Sequence, residues 1–268
     1  MFETAEQFRD RLKRQTGLSE SAIAAAWPAW WSDAADASAS ARAELRFSVA
    51  RQLGLDARSL LSEGEARFIW GGSARFKGFT GDQERDRPAI ASFGMVVARI
   101  VLAASGDQLG EPPPPAAELR SKVLSRARRH VGLIELLATS WALGIPVVHL
   151  RVYPLAAKRM SAMCVRSGDR YAILLARDSV YPAPTAFHVA HELGHIALGH
   201  LEVGESIVDL GEFGGDGDAE EAQADRFAIE LLTGSPKTEV LATGRGRGAR
   251  SLAQAVTSRG PEVAVEPG

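Results

Sequence analysis

The chain has 268 residues, 46% of them hydrophobic and 24% charged, an ordinary globular composition with room for one substantial domain and a smaller one. A net charge of −2 provides no whole-chain field for nucleic acid or an anionic membrane, so no direct nucleic-acid binding and no membrane association are expected. The single cysteine, Cys164, excludes an internal disulfide, and "MFETAEQFRDRLKRQ" carries no apolar signal stretch; a cytoplasmic setting is expected, and the abundance of Ala, Gly and Arg points to a bacterial source.

Residues 1 to about 62 read as helices punctuated by Gly17, Pro28 and Gly54, with Asp56 placed to cap a short turn. The segment 49–61 has the rhythm of a helix-turn-helix, but acids and bases balance over residues 1–60, whereas a DNA reader needs a basic face. Trp27, Trp30 and Trp31 are expected in the core of this module. A strand-like "RFIW" and a helical "IASFGMVVARIVLAAS" follow, and then "GEPPPPAAE", whose four prolines cannot sit inside a helix or a central strand. The expected organisation is therefore a mostly helical module at 1–110, a connector at 111–116, a second domain at 117–236 and a Gly/Arg-rich tail at 237–268.

In the second domain, apolar residues recur at helical spacing from Ala117 to about Leu143, with Arg120, Lys122, Arg126, Arg128 and Arg129 on the remaining, solvated surface. "VGLIELLATSWALGIPVVHL", residues 131–150, is the most apolar window. Because it contains Glu135, Pro146 and His149, it reads as a core helix running into a buried strand, and no transmembrane segment is expected. "IPVVHLRVY" and "MSAMCVRSGDRYAILLAR" give three strands, the last two joined around Ser167-Gly168-Asp169, with Cys164 as buried filler.

The stretch "AFHVAHELGHIALGH" holds four of the six histidines. On a helix over 186–199, entered through "YPAPT" with Thr185 as cap, His191 and His195 lie one turn apart on one face, and Val189, Ala190, Leu193, Ile196 and Ala197 fill the other. This is the HExxH arrangement. Two imidazoles at i and i+4 can converge on Zn²⁺ at about 2.0–2.1 Å, and Glu192, next to the first of them, can take a proton from water without ligating the metal. His200, nine residues after His191, fits no third-ligand register and would turn toward the apolar face if the helix continued; it reads as a helix-end residue. His188 shares the metal face, but three ligands in a row on one helix fit a tetrahedral ion poorly; it belongs beside the ligands or in a substrate groove.

The better candidate for the third ligand lies in "DGDAEEAQADRFAIELLTGSP", residues 216–236, read as a helix with Asp218 as N-cap and a Gly234/Pro236 stop. Glu221 closes a His, His, Glu site, and Asp225, one turn on, accepts the outer N–H of a ligand histidine. The loop before it offers Glu202, Glu205, Asp209, Glu212, Asp216 and Asp218 as competitors, but a carboxylate on a packed helix is better fixed than one on a glycine-rich loop.

These pieces together, "AFHVAHELGHIALGH", the downstream "EAQADRFAIELLTGSP" and the strands "IPVV" and "YAILLARD", resemble the ImmA/IrrE family of metallo-endopeptidases over about residues 117–236. The resemblance implies a gluzincin-like α+β fold of helix, small sheet, active-site helix and ligand helix. It implies zinc on His191, His195 and Glu221, with Glu192 as general base, and as substrate a regulatory protein, often a helix-turn-helix repressor, in stress response or mobile-element control. The family commonly has Thr where His188 stands, and "TGSP" replaces its usual ending. A non-cleaving zinc-containing sensor or scaffold that binds a repressor or toxin partner is the alternative, and "YAILLA" is the strand expected to align a substrate by edge pairing.

Overall fold

A computed structural model of the protein describes residues 3–62, 64–77, 84, 86–106, 110–125, 130–155, 160–209 and 219–237. The Gly/Arg-rich stretch of the tail, Arg126, Arg128 and Arg129, and Glu212, Asp216 and Asp218 lie outside the described residues.

The N-terminal region is helical: α1 (Ala5–Thr16), α2 (Glu20–Ala26), a 3-10 turn at Asp33–Ala37, α3 (Ala39–Leu53) and α4 (Ala57–Leu61). Side chains cap their starts. Thr4 and Gln7 form a reciprocal capping box on α1, and Asp56 accepts from the Arg58 and Ser59 amides to start α4. Glu3 bridges Arg11 at 2.7 Å and Arg46 at 2.9 Å, tying the chain before α1 to α3. Trp27 and Trp31 pack against this core as expected; Trp30 is a correction, since its ring is about half exposed.

Next come β1 (Ala74–Lys77), α5 (Arg87–Ala104), α6 (Ala116–Leu124), α7 (Leu133–Ala142), β2 (Val147–His149), β3 (Ala162–Ser167) and β4 (Arg170–Leu175). The chain continues with α8 (Pro182–Ala197), β5 (Ser206–Asp209) and α9 (Ala219–Thr233). The strands form one sheet in the order β1-β5-β3-β4-β2; β3 runs antiparallel to both neighbours, while β1 on β5 and β2 on β4 are parallel. The result is a mixed α+β fold with a helical N-terminal region.

Alternation along the strands explains why helices cover both faces of the sheet. Met163, Val165, Ala172, Leu174 and Val208 point into a core shared with α1–α5, while Ala162, Cys164, Tyr171, Ile173, Leu175 and Ile207 point into a core shared with α6–α9. On the first face α5 lies so close that a Cβ on Gly94 would overlap the Met163 thioether.

Several expectations need correction. Residues 111–116 do not divide the chain into separate cores: β1 and α5, which precede them, supply an edge strand and a covering helix to the same sheet. Cross-links reinforce this, with the Ser19 hydroxyl donating to Tyr153 O at 2.6 Å and Arg170 donating to Leu102 O at 2.6 Å. The prolines run along the sheet domain, where the Glu111 amide donates to Leu143 O at 3.0 Å. "RFIW" makes one bridge, Leu55 with Phe68, and the strand comes later, at β1. The substrate-aligning role expected of "YAILLA" fails because β4 is paired on both sides, by β2 and β3. Arg120 is buried, not solvated; it caps α9 by donating to Leu231 O and Leu232 O at 2.9 and 2.7 Å.

The apolar window 131–150 divides into α7 and β2, as its residues suggested. Among the described residues one helix, α5, is long and apolar enough to cross a bilayer, and 56% of that span is buried in the sheet-covering layer.

Candidate metal centre

α8 begins earlier than its cap signal suggested. Tyr181 is the N-cap and Thr185 lies inside the first turn; Pro182 and Pro184 are tolerated there because first-turn amides have no intrahelical acceptor. The helix ends where Gly199 adopts φ 72°. This left-handed turn folds the chain back, so that the His200 amide donates to His195 O at 3.0 Å. α9 lies across α8 at Gly194, where an added Cβ would stand 3.1 Å from Ala224 Cα and 3.2 Å from its carbonyl oxygen. A glycine at this point lets the two helices approach closely enough to share a site.

The three polar tips then converge. His191 Nε2 and His195 Nε2 are 3.0 Å apart, and the Glu221 carboxylate oxygens lie 3.3 Å from the first and 3.2 Å from the second. A tetrahedral zinc with bonds of about 2.0–2.1 Å spaces its ligands by about 3.3 Å, so the triangle has the dimensions of a metal site. Among the described residues these three are the group that could hold a metal ion. A His, His, carboxylate set is that of a catalytic zinc, which keeps a fourth position for water or substrate.

Outer partners orient both imidazoles. Asp225 Oδ1 lies 3.0 Å from His191 Nδ1, the contact expected of it; with Nδ1–H donated there, Nε2 is left facing the triangle. His200 lies just past the helix end, as expected, and outside the triangle; its contact there was not foreseen, with Nδ1 2.9 Å from His195 Nδ1 and Nε2 3.2 Å from Gln223 Oε1. The helix stops at Ala197, and the turn at Gly199 brings the His200 ring back against His195. His188 is brought to Asp209, at 3.5 Å, and not to the triangle. It is buried on the same helix and lines a small pocket with Ser161, Leu175, Arg177, Ser179, Pro184 and Thr185.

Glu192 is 1% exposed, and neither carboxylate oxygen has a hydrogen-bond partner. Burial pushes its pKa up to about 8, against the pull of His191 and the Cys164 thiol that faces it from β3. Burial also pushes the Cys164 thiol well up, with Glu192 adding to the effect, so the thiol stays protonated and inert. Burial lowers His191, but hydrogen bonds to Asp225 and Glu221 outweigh it and raise the pKa to about 10. His195 is lowered by burial and by its two histidine neighbours, and Glu221, despite burial, is held far below the carboxylate range by His191 and His195. Two imidazoles in contact disfavour each other's charge, which agrees with the opposite directions of the His191 and His195 shifts. A divalent cation held at the triangle would compete with protons for the imidazoles and favour the ionised form of Glu192.

Sequence reasoning missed the contribution of β1. Arg75 bonds Glu205 at 2.7 Å, Glu220 at 2.6 Å and the His200 carbonyl; the Lys77 ammonium lies 3.3 Å from Glu220 and 3.8 Å from Glu221. From Leu201 to Asp225 the sequence has nine acids and no Lys or Arg, and the compensating cations come from this distant strand. β5 was also missed: four residues inside an acidic loop gave no strand signal, yet they pair with β3 and β1.

Residues 142–255, less than half of the chain, match a peptidase family model described as the IrrE N-terminal-like domain. No curated protein and no solved structure matches. The matched segment contains α8, β5, α9 and every residue of the triangle, and leaves out β1.

Proposed function

We propose, proceeding from the IrrE N-terminal-like metallopeptidase-type domain at residues 142–255, that the protein is a zinc-dependent endopeptidase. Its substrate on this reading is a regulatory protein, a helix-turn-helix repressor of stress response or mobile-element control, met in the bacterial cytoplasm. The observation that carries the zinc chemistry is the His191, His195 and Glu221 triangle with Glu192 buried beside it.

His191, His195 and Glu221 would hold the ion, which supplies Lewis acidity to polarise a peptide carbonyl and acidify water. Asp225 and His200 keep the two imidazoles turned inward. Glu192 takes the proton from the attacking water and passes it to the leaving amine. Its enclosed position shields that transfer from bulk water. Since β4 is interior, an extended substrate has the outer edge of β1, beside the triangle, to pair with.

The test is mass spectrometry of candidate repressors incubated with the zinc-loaded full chain and with its Glu192→Gln variant. Two fragments summing to substrate plus one water are expected, with cleavage about 10²–10⁴-fold slower in the variant. Equal cleavage by both proteins removes Glu192 from the mechanism. An intact, stable complex with no fragments favours the non-cleaving sensor or scaffold.

A further inference from the structure

We infer that β1 belongs to the metal centre: Arg75 and Lys77, from outside the matched peptidase segment, are positioning residues that fix the outer partner of His195 and the first turn carrying Glu221. This rests on the zinc reading above.

Glu221 sits in the opening turn of α9, one residue after Glu220. Three ion pairs reach that turn from β1: Arg75 to Glu220, Lys77 to Glu220 and Lys77 to Glu221. The Lys77 side chain is only 10% exposed, so its two contacts are less open to water than the Arg75–Glu220 pair, whose side chains are each 35% exposed. Arg75 also binds the His200 carbonyl and Glu205, gripping the turn after α8 on two sides. That turn puts the His200 ring against His195. A single strand thus braces one imidazole of the triangle and its carboxylate, while Asp225 on α9 braces the other imidazole.

β1 is itself well fixed. All four residues pair with Ser206–Asp209 of β5, and α5 follows it down onto the apolar face of the sheet. The N-terminal region therefore has a purpose beyond covering that face.

The sign of the effect separates positioning from simple charge. Arg75 and Lys77 are cations beside a site for a dication, so deleting them should strengthen zinc binding if only Coulomb repulsion mattered. Loss of an orienting partner instead weakens it, typically by about 10–100-fold. The experiment is zinc titration of the full-length protein against a competing chelating dye, for wild type, Lys77→Met, Arg75→Gln, the double variant and Lys77→Arg, with a thermal melt of each.

Expected is a zinc affinity about tenfold or more weaker in the double variant, a smaller loss in each single neutral variant, and recovery in Lys77→Arg, which keeps the charge at the same place. Affinity that is unchanged or tighter in the folded neutral variants overturns the inference while leaving the zinc reading intact. If the double variant does not fold, the two single variants carry the same comparison. A wild-type chain that takes up no zinc overturns both.

Discussion

On one face of the sheet Met163, Val165, Ala172, Leu174 and Val208 meet the helices of the N-terminal region in an apolar core; on the other, Cys164 looks across at Glu192, and His188, His191 and His195 are buried along one helix. The same strands build both faces, since alternate residues point opposite ways. Apolar burial is favourable with no further condition, whereas each buried polar group on the second face needs a partner or a metal. Both faces bury an apolar core, and the second also buries polar groups that need a partner or an ion. Substitutions on the two faces should therefore separate stability from metal binding.

The largest effect belongs to the apolar face. Met163→Ala opens a cavity against Gly94 and should cost about 2–5 kcal/mol in a urea unfolding curve. Zinc affinity of the folded fraction should stay within about twofold of wild type, because the triangle lies across the sheet; a coupled loss would show that the faces are not independent. On the polar face the order reverses. Asp225→Ala removes the acceptor at His191 Nδ1 and should weaken zinc binding by about 10–100-fold, read by chelator competition, while costing less stability than Met163→Ala.

The pH dependence of the chelated protein tests the charges of the polar face directly. His191 has a folded pKa of about 10 against 6.5 when unfolded, so its contribution is complete below pH 6.5 and is lost as the pH rises to 10. Glu192, raised from 4.5 to about 8, acts in the same direction, since burying its ionised form becomes costly over that range. Glu221, depressed by the histidines, contributes above 4.5 and loses that contribution in acid. The melting temperature with chelator should therefore fall between about pH 6.5 and 10, and zinc should flatten that fall. A chelated protein whose stability rises over this interval contradicts the charge arrangement.

What could be read from the sequence follows how local the signals are. The i, i+4 histidines of α8 and the i, i+4 acids of α9 are set by one helix each, and helical geometry alone puts each pair on a face. The β3–β4 hairpin carried its own turn, and the Gly and Pro breaks marked helix ends. What escaped depended on remote contacts. β1 is "ARFK", with two charged residues in four and no apolar run, and becomes a strand because β5 offers an edge. Arg120 looks like a surface cation until α9 lays its terminal carbonyls over it. His200 was legible as a helix-end residue, but its contact with His195 depends on the left-handed turn at Gly199.

The most direct test of the account is the zinc content of the metal-reconstituted full chain, by elemental analysis after exhaustive dialysis, compared with His195→Ala and Glu221→Ala. The account predicts about one zinc per wild-type chain and a loss of tight binding in both variants, because both remove a vertex of the triangle. One zinc retained with undiminished affinity in Glu221→Ala, or none in the wild type, would contradict it.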